Sequence, residues 1–251
     1  MKRWIYITIA LFVSTPLWAA DEKASLQWSH RVEISVPVSG VVRAVNVDVG
    51  DLVKKGQVLL ALDNAIYQAK VAEIQAAIIR LLAEAAEAKR EFERIEELYT
   101  RTVVATAELD QARLRLVKTD SLVAEARANL KQQQKVLEDS SVRAPFDAVV
   151  VERQVEPGMS VASTLQPQIL LVLGKSGEML ARMHLTTAQI EKLKIGQVVA
   201  VVTGGQSYQG KIKALGLEPS KGNGDSLYVV EVLFSSSEQL RAGTTAVVKF
   251  P

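Results

Sequence analysis

Between Gly56 and Pro145 the chain contains neither glycine nor proline, although both are frequent on either side. These residues punctuate turns and interrupt helices, so their absence marks one long helical region. Within it Tyr67, Val71, Ile74, Ile78, Leu81, Ala85, Ala88, Phe92, Ile95 and Tyr99 follow at alternate spacings of four and three. A second series, Leu109, Leu116, Val123, Leu130 and Leu137, recurs every seventh residue, with Ala112, Thr119, Ala126 and Gln133 at the matching positions between. Both series have the period of a coiled-coil seam. They break around Arg101 to Ala105, where Val103-Val104 interrupts the pattern. Thr106 is placed to N-cap the second helix, with Glu108 in its first turn. The prediction is an antiparallel hairpin over residues 64–140 whose arms are each about 50 Å long. A rod of that length projects from the domain that carries it.

Outside the hairpin the apolar residues alternate, and the pattern repeats. Pro37-Val38-Ser39-Gly40-Val41-Val42 returns as Pro145-Phe146-Asp147-Ala148-Val149-Val150. At the same offset Val47-Asp48-Val49-Gly50 returns as Val155-Glu156-Pro157-Gly158, and Val53 as Val161. Each copy reads as strand, acidic turn, strand. Half a small sandwich cannot bury its apolar face alone, so the copies at 36–63 and 141–174 are expected to pack together. Gly40, Gly50, Gly56, Pro145 and Gly158 are the expected structural turn residues. Beyond Gly174, short apolar strands are predicted at 178–185, 197–203, 209–215, 226–234 and 244–250. A short Thr-capped helix is predicted at 186–193. Together they indicate a small antiparallel barrel over 175–251. Residues 21–35 remain as an N-terminal lead strand. Lys221–Asp225 reads as a flexible turn, since a glycine cluster with no following helix is poor evidence for a phosphate loop.

Composition removes several classes of function. The chain has no cysteine, which excludes thiolate catalysis, iron–sulfur clusters, Cys-type zinc sites, disulfides and a lipid-modified N-terminal cysteine. Its net charge of +2 gives no strong field for nucleic acid. His30 and His184 are the only histidines and lie far apart, with no clustered carboxylates beside them. Met159, Met179 and Met183 are scattered rather than grouped for a soft metal. No catalytic residue, cofactor site or metal site is expected. Lys2-Arg3, the apolar run Trp4–Val13 and the small residues Ala19-Ala20 before Asp21 read as a signal peptide over residues 1–20. The apolar run is short of the roughly 20 residues that span a bilayer. An exported protein is expected.

The order of parts resembles the membrane fusion proteins, the periplasmic adaptors of tripartite efflux and secretion systems. Gly40-Val41-Val42, Val49-Gly50-Asp51-Leu52-Val53-Lys54-Lys55-Gly56-Gln57-Val58-Leu59 and Leu62-Asp63 resemble that family's first half-motif. Arg143-Ala144-Pro145-Phe146-Asp147 and Glu156-Pro157-Gly158 resemble the second. Ile195-Gly196-Gln197, Tyr208-Gln209-Gly210-Lys211 and Leu240-Arg241-Ala242-Gly243 are similar to its barrel. The resemblance implies a mixed α/β modular fold: a coiled-coil hairpin inserted into a split lipoyl-like β-sandwich, followed by a small β-barrel. It also implies an inner-membrane transporter and an outer-membrane channel as partners, a hexamer in the assembled pump, and a place in the Gram-negative periplasm beside the inner membrane. A resistance–nodulation–division transporter exporting small molecules is the first expectation, and an ABC-type exporter or protein secretion system the alternative. At the hairpin tip the family's Arg, Leu and Ser positions fall on Arg94, Leu98 and Ala105, with Thr106 beside the missing Ser hydroxyl. These four are the expected partner-binding residues. Two departures stand out: Ala148 replaces a usual glycine, so the turn there is expected to be slightly altered, and the membrane-proximal domain of many efflux adaptors is expected to be absent. A lipoyl or biotinyl carrier is disfavoured, because about eighty helical residues replace the tight hairpin that would present its modified lysine.

Overall fold

The computed structural model describes residues 21–162, 167–220 and 226–251. The expected signal peptide and the turn at Lys221–Asp225 lie outside the described residues. The chain divides into two compact units, with the boundaries after Arg31 and after Gly174.

The central unit contains two four-stranded sheets. In chain order its strands are β2 (Arg31–Ile34), β3 (Gly40–Val45), β4 (Leu52–Val53), β5 (Val58–Leu62), β6 (Ser141–Arg143), β7 (Ala148–Arg153), β8 (Ser160–Val161) and β9 (Leu171–Lys175). One sheet runs β2-β9-β7-β4 and the other β6-β5-β3-β8. The two sequence repeats exchange strands. β4 of the first copy pairs with β7 of the second, Leu52 opposite Val149, while β8 of the second pairs with β3 of the first, Ser160 opposite Val41. The turn bonds repeat the exchange. Gly50 N–H donates to the Val150 carbonyl and Gly158 N–H to that of Val42, both at 2.8 Å. Both glycines take positive φ, 97° and 89°, which a side chain would strain. Leu59, Leu60, Leu62, Leu170, Leu171 and Leu173 form a buried core with Val42, Val150 and Val155.

Two expectations about this unit are corrected. Gly40 is not a turn residue: it opens β3 opposite Val161, and a Cβ there would stand 3.3 Å from Leu62 Cδ1. Its role is close approach. Ala148 alters no turn either, being fully buried in β7 opposite Val53.

Between β5 and β6 the chain runs through α1 (Ala65–Thr100) and α2 (Thr106–Asp139). The strands at their root pair directly, Leu60 with Val142 and Ala61 with Ser141, so the arms leave and return side by side. Tyr67 Oη donates to the Ser39 carbonyl at 2.5 Å and Leu62 N–H to that of Ser140 at 2.8 Å, tying the base of the rod to the sheets. Val71, Ile74, Ala85 and Ala88 of α1 are buried, as are Leu109, Ala112 and Val123 of α2. The remaining residues of both predicted series are half-buried, except Tyr99, which is exposed. Arg113 lies over the Phe92 ring at 5.8 Å.

The second unit is a closed six-stranded barrel, β1-β10-β13-β12-β11-β14. Its strands are β1 (Asp21–Trp28), β10 (Glu178–Thr186), β11 (Val198–Thr203), β12 (Gln206–Ser220), β13 (Leu227–Ser235) and β14 (Thr245–Lys249). Two features differ from the sequence reading. The lead strand β1 belongs to the barrel, where it sits between β10 and β14, because closure needs a strand at that seam. The third predicted strand is longer, with register shifts at Ile212/Ala214 and Leu215/Pro219 that let it follow the curved wall. Alternating Leu26, Met183, Val201, Val230, Val232 and Val248 fill the interior. Thr186 caps α3 (Thr187–Ile190) in a capping box with Gln189.

Candidate functional site: the distal end of the hairpin

Helix α1 ends in a complete backbone cap. Arg101 is the C-cap, Thr102 N–H donates to the Tyr99 carbonyl at 2.9 Å, and Val103 N–H donates to that of Leu98 at 3.0 Å. This is the paired bonding of a Schellman motif, which requires a left-handed residue after the C-cap. Glycine usually fills that position. Here it is Thr102, at φ 61°, the one described non-glycine residue with positive φ. A β-branched residue in this region carries backbone strain of about 1–2 kcal/mol. Thr102→Gly is therefore expected to raise hairpin stability by about 0.5–1 kcal/mol, the relief being partly offset by a more flexible unfolded chain. Thermal unfolding followed by helical circular dichroism checks this.

The turn continues through exposed Val103 and half-buried Val104 to Ala105. Ala105, extended at φ −78° and ψ 153°, is the N-cap of α2, and its carbonyl accepts from Glu108 N–H at 3.0 Å. The expected N-cap, Thr106, is already the first helical residue and makes no capping bond. The Schellman turn places the chain reversal one residue earlier than hydroxyl chemistry alone would. The Thr106 hydroxyl instead reaches Tyr99 Oη at 3.4 Å across the two arms.

Of the four expected partner-binding residues, Arg94 and Leu98 lie four apart on one side of α1, while Ala105 and Thr106 begin α2. Arg94 grips Glu91 with a fork of bonds, Nη2 to Oε1 at 2.7 Å and to Oε2 at 2.8 Å, and Nε to Oε2 at 3.1 Å. That bonding holds the Glu91 carboxyl below the usual carboxylate range, with Arg115 adding to the effect, and raises the Arg94 guanidinium. A depressed carboxylate contributes where it is ionised, so the pair persists at neutral pH and loosens only as pH falls through Glu91's lowered value. Leu98 is half-buried, while Ala105, Thr106, Val103 and Tyr99 are exposed. The left-handed Thr102 carries no sequence signal, because glycine or asparagine would normally mark such a turn.

Among the described residues no group of three or more His, Asp or Glu is arranged to hold a metal ion. His184 is an exposed residue of β10 opposite Val229. No described helix is long and apolar enough to cross a membrane.

Comparison with known proteins identifies relatives of the fold. Residues 30–169 match the CzcB-like, barrel-sandwich hybrid domain. The chain is 27% identical over 216 residues to the macrolide export protein MacA of Yersinia pestis, the match covering 79% of this chain and 58% of that protein. The chain thus spans little more than half the length of that relative. The membrane fusion protein Spr0693 from Streptococcus pneumoniae R6 shares the fold with a TM-score of 0.67 at 18% identity, covering 92% of this chain and 98% of that one. So does a MacA-MexA chimeric protein containing the Pseudomonas aeruginosa MexA α-hairpin domain, with a TM-score of 0.63 at 21% identity over 92% and 81% of the two chains.

Proposed function

Since this chain belongs to the CzcB-like barrel-sandwich hybrid family and is a membrane fusion protein, we propose that it acts as a periplasmic adaptor. It bridges an inner-membrane transporter to an outer-membrane channel during export of small molecules and performs no chemistry of its own. The observation that carries this reading is the hairpin's distal end. A rod about 50 Å long terminates in a self-capped turn that exposes Val103, Ala105 and Thr106. With the end of α1 capped by the Thr102 and Val103 N–H groups, the exposed side chains beyond it can meet a partner. Leu98 supplies the apolar contact, and Arg94, ordered by Glu91, can offer its remaining N–H groups to carbonyls or carboxylates. The macrolide export relative favours a small organic cargo. A transporter of the resistance–nodulation–division type is the proposed inner-membrane partner.

Affinity purification of the tagged protein from its native host, with envelope proteins cross-linked before lysis, tests the reading. Both a transporter and an outer-membrane channel are expected to co-purify. Recovery of an ABC-type exporter would change the transporter class and leave the adaptor role standing. Recovery of neither partner would end it.

A further inference from the structure

The fork between Arg94 and Glu91 differs from the other ion pairs along α1. Lys70–Glu73, Arg80–Glu84, Lys89–Glu93, Glu87–Arg90 and Glu97–Arg101 each close with at most one hydrogen bond, and their carboxylates are 47% to 67% accessible. Such pairs are solvated charges on a helix face and contribute little. Arg94 and Glu91 share three bonds, and Glu91 is only 34% accessible. The glutamate is drawn in because it lines a groove between the arms. Ile95 stands beside it on α1, and Glu108, Gln111, Ala112 and Arg115 of α2 complete the lining.

The register of the arms brings Arg115 to this glutamate. Tyr99 meets Thr106 and Arg113 lies over Phe92, so each step down one arm matches a step up the other, and Glu91 is level with Leu114, one residue from Arg115. Residues 111, 112, 118 and 119, the positions that could pair with Arg115 along its own helix, hold no carboxylate. Its charge acts instead across the groove, where it joins Arg94 in holding the Glu91 carboxyl ionised. The fork also dictates which donors of Arg94 remain. Of the five guanidinium N–H groups, those on Nε and Nη2 are occupied by Glu91, which leaves the two on Nη1. Glu97, the other carboxylate within reach of Arg94 along α1, is taken by Arg101. An arginine fixed beforehand loses less rotamer freedom when a partner binds, an advantage of up to about tenfold in affinity.

We propose that Glu91 and Arg115 are positioning residues for the tip. Arg115, from α2, steadies the Glu91 carboxylate, and Glu91 in turn fixes the Arg94 guanidinium with its Nη1 donors free for an acceptor on the channel. The orientation of the contacting arginine thereby depends on both arms of the hairpin, although Arg94 belongs to one. The inference rests on the reading of the tip as the channel contact, and it adds two residues that act through Arg94 without touching the partner.

Nitrogen-15 NMR of the purified protein tests the ordering, with the Arg94 Nε–H signal identified by its loss in Arg94→Lys. Arg127, which has no carboxylate three or four residues away, is the mobile reference. The Arg94 group is expected to be markedly more rigid than that of Arg127, to become as mobile in Glu91→Gln, and to loosen partly in Arg115→Gln. A photoreactive benzoylphenylalanine in place of exposed Val103 then reports partner contact in the native host, as an adduct with an outer-membrane protein. Glu91→Gln is expected to lower the adduct about fivefold and Arg115→Gln about twofold, with Glu91→Asp retaining more than Glu91→Gln. In an Arg94→Ala background none of the three should have a further effect. An Arg94 signal that Glu91→Gln leaves rigid, an adduct that Glu91→Gln leaves unchanged or strengthens, or losses that persist without Arg94 would each overturn the proposal. Absence of any adduct before these substitutions are made would overturn the tip reading along with it, so the two failures are separately visible.

Discussion

Leu98→Asp is expected to abolish export while leaving the protein folded and located as before. If Leu98 packs on the channel, the aspartate carries an unpaired charge into an apolar contact, a penalty on the order of 3 kcal/mol or more. That corresponds to a loss of at least about a hundredfold in channel affinity. The hairpin itself should persist, because Ile95, Phe92 and Ala88 hold the seam below the tip and the backbone cap at Thr102 does not depend on the Leu98 side chain. Channel binding measured with the purified proteins, beside thermal unfolding, separates two roles for this half-buried leucine. A variant that binds the channel at wild-type strength, exports normally and merely unfolds at lower temperature would show that Leu98 serves its own hairpin and not a partner.

The second large effect is expected in the barrel. Gly210 is buried in β12 opposite Val199 and Phe234. A Cβ there would lie 2.6 Å from Val232 Cγ1 and 3.0 Å from Val201 Cγ2. Gly210→Val is expected to destabilise the barrel by about 3 kcal/mol, since two neighbouring valines must both give way in a closed wall. Gly210→Ala should have a smaller effect in the same direction. Val232→Ala removes the nearest obstructing methyl, so the double variant Gly210→Ala/Val232→Ala should recover much of the loss, a coupling that chemical denaturation of the four proteins would measure. Simple additivity of the two substitutions would show that the steric account is wrong.

The hairpin's helices were legible because their information is local. A run without glycine or proline and a heptad period specify long amphipathic helices whatever they pack against. The duplicated strand–turn–strand motif was legible for a similar reason, since Gly50 and Gly158 mark turns by their own backbone requirements. How the copies combine was not. Leu52 finds Val149 and Ser160 finds Val41 only because each half buries its apolar face with strands from the other, and no short-range pattern encodes such a partner. The same limit hid the place of Asp21–Trp28, whose alternation announces a strand but not the barrel seam it closes. At the tip, a hydroxyl pointed to Thr106 as the cap, yet the reversal is set by a left-handed Thr102 that the rest of the turn forces on it. Sequence alone determined the two long helices, the duplicated strand–turn–strand motif and where the barrel strands fall, because those follow from period and backbone preference. Tertiary structure alone decided the strand exchange, the barrel's closing strand and the register of the two arms, because each depends on surfaces that meet only after folding.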